Sequence, residues 1–187
     1  MDNFKSLSIS SFSSVAGNNV KLAIEECCER GVVPIIVCVG SDLILGDSLG
    51  PLVGTLLKQN GVGAYVYGSL NAPITAREVD YVKTYLKKIH KNSKIIAIDA
   101  GIGPDCDVGL IKVRDVGLKP GLGVDKDLPL LGDMSIVGVV ASKSIKNVNL
   151  FNYTRLNLVY KMAMVIAEGI IGYINDLGIV SNTAVVS

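Results

Sequence analysis

Two aspartates stand where the strand ends of an α/β sheet would place reactive groups. Asp47 lies in PIIVCVGSDLILGDSLGPLVG, residues 34–54, which reads as a buried strand, a glycine-punctuated loop carrying Asp42 and Asp47, and a helix opening at Gly50-Pro51. Asp99 follows the apolar run KIIAI, residues 94–98, and ends that strand in Asp-Ala-Gly. In a parallel sheet both ends emerge on one edge, where ligands and catalytic groups gather. Neighbouring strands, about 4.8 Å apart, would bring the carboxyls across a crevice from one another. Paired acids in a partly desolvated cleft do not both ionise cheaply, so one stays protonated and the other stays a base. Such a pair could activate water against an amide carbonyl and protonate the leaving amine. Spacing alone leaves a plainer reading open, with Asp47 capping the helix and Asp99 making the turn.

Around this pair, Ser41 and Asp42 are expected to shape the cleft, and Gly46 and Ser48 to meet the substrate. Backbone donors of the loop 40–46 and of the helix start would hold an oxyanion. Asp133 and Ser135, in GDMS before the last strand, are candidate substrate-positioning groups, although they reach the same edge only if that strand runs the other way. An ordinary loop cap is the alternative for both. Asp133 is also the one candidate for a third oxygen ligand if the reaction is that of a metal-dependent hydrolase.

Other chemistries have less to work with. The loop GSDLILG matches neither GxGxxG nor a Walker loop, and its aspartates would repel a phosphate. Ser48 is not in a GxSxG elbow. The single histidine, His90, is expected on the surface at the polar end of a helix. Cys27, Cys28, Cys38 and Cys106 form no CxxC pair or zinc spacing, so they read as buried reduced thiols of a reducing compartment. The residues imply no cofactor and no resident metal.

The elements that must position the aspartates alternate along the chain. Helical spacing covers 18–30, 51–59 and 74–90, the last with Val79, Val82, Leu86 and Ile89 on one face. Strand patterns cover 33–39, 62–68, 94–98, 109–113 and 134–140, several of them apolar throughout, as in sheets covered on both faces. The glycine- and proline-rich stretch 117–132 is a candidate functional flap. A long helix over 153–174 is apolar, but Lys161 and Glu168 interrupt it, which fits a core helix better than a bilayer span. The pattern predicts one three-layer α/β/α sandwich with a largely parallel sheet over 18–176, a loose serine-rich leader over 1–17 and a frayed tail over 177–187. With 187 residues, 49% of them hydrophobic, and a formal charge of +1, neither disorder nor a nucleic-acid partner is signalled. The lysines at 83, 87, 88, 91 and 94 read as the solvated side of a helix.

Three strings together, VCVGSDLILGDSLGPLVG, IIAIDAGIG and LGDMSIVGVV, resemble the YyaC family of sporulation proteins over residues 18–174. More distantly the chain is similar to the germination protease of spores and to hydrogenase maturation endopeptidases. This resemblance implies a phosphorylase/hydrolase-like fold and a sporulation-associated peptidase with a peptide or protein substrate. It implies a cytoplasmic setting, in the developing spore, with no nucleic acid and no membrane. It carries the catalytic aspartates of the germination protease onto Asp47 and Asp99. In the hydrogenase maturation proteases the same places hold carboxylates that bind the nickel of their substrate, together with a histidine that this chain does not offer near a later strand end. A non-catalytic peptide- or partner-binding protein on the same fold is the rival implication.

Overall fold

A computed structural model describes residues 6–29, 31–120, 130–144 and 154–178. In chain order it contains β1 (Ser6–Ser10), α1 (Ala16–Cys27), β2 (Ile35–Cys38), α2 (Leu49–Gln59), β3 (Val66–Tyr67), α3 (Val79–Ile89), β4 (Ile95–Gly103), β5 (Leu110–Arg114), β6 (Met134–Ser142) and α4 (Leu156–Asp176). Short 3-10 turns at Leu45–Ser48 and Asp105–Asp107 follow β2 and β4. The six strands form one sheet in the order β1-β5-β6-β4-β2-β3. β3, β2, β4 and β6 run parallel; β5 adds antiparallel to β6, and β1 adds antiparallel to β5 at the edge, so that β5 alone is reversed.

Period-2 alternation explains why the parallel strands are apolar throughout. Ile36, Cys38, Ile96, Ile98 and Ile136 face a core shared with α1, α2 and α4. Ile35, Val37, Val39 and Ala97 face the opposite layer with Val79 and Leu86 of α3 and with Leu118 and Leu131. The result is the three-layer α/β/α sandwich that the pattern predicts. α4 is long and apolar enough to cross a bilayer, yet here it lies against α1 and α2 with Val159, Met162, Ile166 and Ile170 fully buried. Glu168 is exposed, and Lys161 places its ammonium 4.9 Å from the centre of the Phe12 ring.

Several expected boundaries move once pairing is known. Ser6–Ser10, expected within a loose leader, forms the edge strand β1 in register with β5, and Ile9 is buried. A strand this short gains its order from its partner, which serine-rich local sequence does not announce. The strand expected over 62–68 keeps only Val66–Tyr67 in the ladder. The helix expected from residue 74 begins at Val79, because Ile74 bridges Val39 and Thr75 folds back onto the Glu78 carboxylate, with Oγ1 donating at 2.5 Å and N–H at 2.9 Å. Ile89, expected on the core face of α3, is 54% exposed. Lys94 does not sit in solvent alone: it donates to the Cys27 carbonyl and pairs with Asp115 at 3.2 Å. Cys27, Cys28 and Cys38 are buried free thiols, whereas Cys106 is exposed.

Gly50 is not the helix cap that its sequence setting suggests. α2 begins one residue earlier, with Ser48 as its N-cap, and Gly50 and Pro51 lie in the first turn. Glycine is needed there for close approach: a Cβ at Gly50 would lie 1.9 Å from the Val39 carbonyl oxygen. One turn on, a Cβ at Gly54 would lie 1.9 Å from the Gly68 carbonyl oxygen. Both obstacles are backbone, so neither can rotate away. Gly50→Ala is therefore expected to lift the start of α2 off β2 and to destabilise the fold by about 3 kcal/mol, at the upper end of ordinary overpacking. Urea denaturation of the purified variant measures this, and a change below about 1 kcal/mol would contradict the packing.

Candidate active site

The acid pair forms where β2 stops and β4 continues. β2 pairs with β4 as far as Cys38↔Ile98, and Val39 N–H donates to the Ile98 carbonyl at 2.8 Å. The chain then turns away through Gly40, whose φ of 138° is in the region that glycine tolerates and whose N–H donates to the Ile74 carbonyl at 2.9 Å. It returns through the 3-10 turn Leu45–Ser48, which carries Asp47. Asp99 lies one residue beyond the β2 ladder. It does not end its strand, as the Asp-Ala-Gly sequence suggests: β4 runs on to Gly103 because β6 still pairs with it.

Burial separates the two carboxyls. Asp99 is 8% exposed and Asp47 is half-buried. Burial pushes the Asp99 carboxyl well above the usual aspartate range, the nearby Asp47 charge pushes in the same direction, and the Ala100 N–H opposes both. That N–H donates to Asp99 Oδ1 at 2.8 Å. Asp47 is also raised by burial, against an opposing contribution from the Ser41 N–H. The Asp47 charge is itself one of the two causes that raise Asp99. Asp99 is the more buried of the two acids and the one whose neutral form burial favours more, while Asp47 lies nearer to solvent.

The other expected site residues divide. Ser41 is half-buried beside Asp47, its N–H donating to the Asp47 main-chain carbonyl at 3.1 Å and its Oγ accepting from Leu43 N–H at 3.2 Å. Asp42 is exposed on the same loop, and Gly46 is buried within the turn. Ser48 is buried and its hydroxyl donates to the Leu45 carbonyl at 2.6 Å, so it is a structural group of the turn rather than a free substrate contact. The amides of Ser41, Leu43 and Asp47 are engaged inside the loop and that of Gly40 by the Ile74 carbonyl, which removes these four as oxyanion donors.

Asp133 and Ser135 are not at this edge. β6 runs parallel to β4 with Met134 opposite Ile96, so both precede or begin the strand at the amino end of the sheet. Asp133 accepts Ile95 N–H at 2.9 Å, and Ser135, 2% exposed, donates to the Val116 carbonyl at 2.8 Å. Asp133 therefore cannot supply a third ligand to Asp47 and Asp99. No group of three His, Cys, Asp or Glu that could hold a metal ion occurs among the described residues. The base of the candidate flap is at that amino end too, where Leu118 and Leu131 exchange backbone bonds of 3.0 and 2.8 Å beside Gly132; residues 121–129 lie outside the described residues. His90 is half-buried rather than on the surface, with Nε2 2.8 Å from the Tyr67 hydroxyl.

Sequence reasoning missed Leu43 and the backbone groups around Ala100. Leu43, 89% exposed at the tip of the loop, is a large apolar side chain in water within a few residues of Asp47. The run DLIL gives no sign of which of its leucines will be outside.

The profile of a family described as "Protein of unknown function (DUF1256)" matches residues 13–169. The chain belongs to this family. The DUF1256 chain is 44% identical over 137 residues to "Uncharacterized protein YyaC" of Bacillus subtilis (strain 168), covering 73% of this chain and 67% of that relative. Among solved structures, a [NiFe] hydrogenase maturation protease, HycI from Thermococcus kodakarensis KOD1, aligns over 74% of this chain and 92% of its own. Its TM-score is 0.44 at 18% identity, and nothing about activity follows at that distance.

Proposed function

We propose that this DUF1256 protein is a sporulation-associated peptidase that hydrolyses peptide bonds with Asp47 and Asp99 as its acid/base pair. The observation that carries the reading is the unequal burial of two carboxyls at the carboxyl edge of a parallel sheet, the more buried one raised further by the charge of the other. Asp47, ionised, takes a proton from a water molecule as its oxygen adds to the scissile carbonyl. Asp99, protonated, delivers its proton to the nitrogen as the C–N bond breaks. The proton on Asp47 then returns the pair to its starting state. No cofactor enters this scheme. The family resemblance supports a cytoplasmic setting in the developing spore.

The reading predicts a bell-shaped dependence of kcat/KM on pH. Its acid limb follows protonation of the Asp47–Asp99 pair and its alkaline limb the loss of the last shared proton, with both limbs displaced upward from ordinary aspartate titration because both groups are raised. Purified protein incubated with a spore-protein extract should generate new amino termini, read by mass spectrometry. Absence of any new terminus, or cleavage that survives in both Asp47→Asn and Asp99→Asn, would sink the assignment.

A non-catalytic peptide- or partner-binding role is the second reading. The engaged amides of Gly40, Ser41, Leu43 and Asp47 favour it, since they leave the loop fewer donors for an oxyanion. It predicts binding without turnover.

A further inference from the structure

β4 outruns β2, and this leaves an open strand edge beside the acid pair. Successive residues of a strand offer their backbone groups to opposite neighbours. The Gly103 carbonyl accepts Lys143 N–H at 2.8 Å on the β6 side, whereas the Ile98 carbonyl accepts Val39 N–H on the β2 side. Ala100 and Ile102 therefore face the side that β2 has left. The Ala100 N–H is taken by Oδ1 of the Asp99 carboxyl. The Ala100 carbonyl and both backbone groups of Ile102 have no partner on that side among the described residues. Ile102 is half-buried, where an unused N–H and C=O are costly unless something pairs with them. Gly40 meanwhile carries the departing chain toward Ile74, away from β4.

Gly101 and Gly103 put no side chain on their face of β4, and the neighbouring Val137 and Val139 close over them: a Cβ at either glycine would meet a valine methyl at 2.7 or 2.9 Å. A row of alternating C=O and N–H groups with no side-chain pocket is complementary to one kind of ligand, the extended backbone of another polypeptide segment.

We propose that the substrate binds as an added strand on the free edge of β4, taking up the Ala100 carbonyl and the Ile102 N–H and carbonyl where β2 would have continued. This deepens the peptidase reading and rests on it for the step that follows binding: the peptide unit beyond the added strand lies at Asp99 and Asp47. The substrate class is then an unfolded tail or linker, recognised by its backbone, and not a folded surface.

The probe is reduced, carboxymethylated α-lactalbumin, which is unfolded, with the native disulfide-bonded form as control. Amide exchange is followed by NMR in Asp47→Asn, which holds the probe uncleaved. The Ile102 amide is expected to exchange at least about 10-fold more slowly with the unfolded probe, and at its free rate with the native form, as for one added backbone hydrogen bond. Binding that leaves Ile102 exchange unchanged, or no binding at millimolar probe, overturns the proposal. Ile102→Pro removes an N–H that the fold does not use, so a folded variant should lose about 10-fold in kcat/KM on the unfolded probe. Undiminished cleavage by that variant also overturns it. Ile102 protection without cleavage by the natural chain would instead sink the peptidase reading and leave the strand-edge site standing.

Discussion

Asp99→Asn is expected to cut peptide hydrolysis by about 10²–10⁴-fold and, above the ordinary aspartate range, to make the protein more stable than the natural chain. Both effects have one origin. The Asp99 carboxyl is raised by burial first and by the Asp47 charge second, so folding favours its protonated form. A group whose folded pKa lies above its unfolded value gives its full stabilisation at pH below the unfolded value and loses it as pH rises through the folded value. Near neutral pH the unfolded chain has its Asp99 ionised at no cost, while the folded chain must either hold a proton there or bury a charge. Asn is neutral at every pH and keeps an oxygen for the Ala100 N–H. Thermal melts of the two proteins should therefore coincide more nearly at pH 3 and separate in favour of Asn as pH rises. A variant that is less stable than the natural chain at pH 8 would contradict the direction of the shift. The same proton is the one the reaction needs, so activity should fall by about 10²–10⁴-fold.

Asp47→Asn should cost activity on the same scale, about 10²–10⁴-fold, through loss of the base rather than the acid. It carries a second expectation that a merely structural role would not produce. Removing the Asp47 charge removes one of the two causes that raise Asp99, so the Asp99 titration should move down toward the ordinary range. Carboxyl ¹³C chemical shifts followed against pH would show it, with Asp99 titrating lower in the variant. An unmoved Asp99 would mean that the two carboxyls do not sense each other, and the paired mechanism would fail with it. Stability of this variant is expected to change less than that of Asp99→Asn, because Asp47 is the less buried group.

Local sequence was a good guide wherever one segment decides its own structure. The apolar runs 33–39 and 94–98 read as strands covered on both faces, and the long apolar pattern over 153–174, interrupted by Lys161 and Glu168, reads as a core helix; the elements Ile35–Cys38, Ile95–Gly103 and Leu156–Asp176 follow. Asp47 and Asp99 could be brought together on paper because β2 and β4 are both approached from a preceding helix and both read as parallel strands. The serine-rich edge strand β1, by contrast, is ordered by β5, a partner a hundred residues away.

What the sequence alone determined is therefore the sandwich, its parallel centre and the placement of Asp47 and Asp99 at its carboxyl edge. These follow from period-2 and period-3.6 patterns and from where polar residues interrupt them. Only the tertiary structure decided the direction of β6, which sends Asp133 and Ser135 to the far edge, and the early end of β2, which leaves Asp99 in mid-strand beside an open edge. Strand direction and strand length depend on long-range pairing, and no local pattern encodes them. The same is true of the unequal burial of Asp99 and Asp47: the two are the same residue type, and only the packing around them separates their environments.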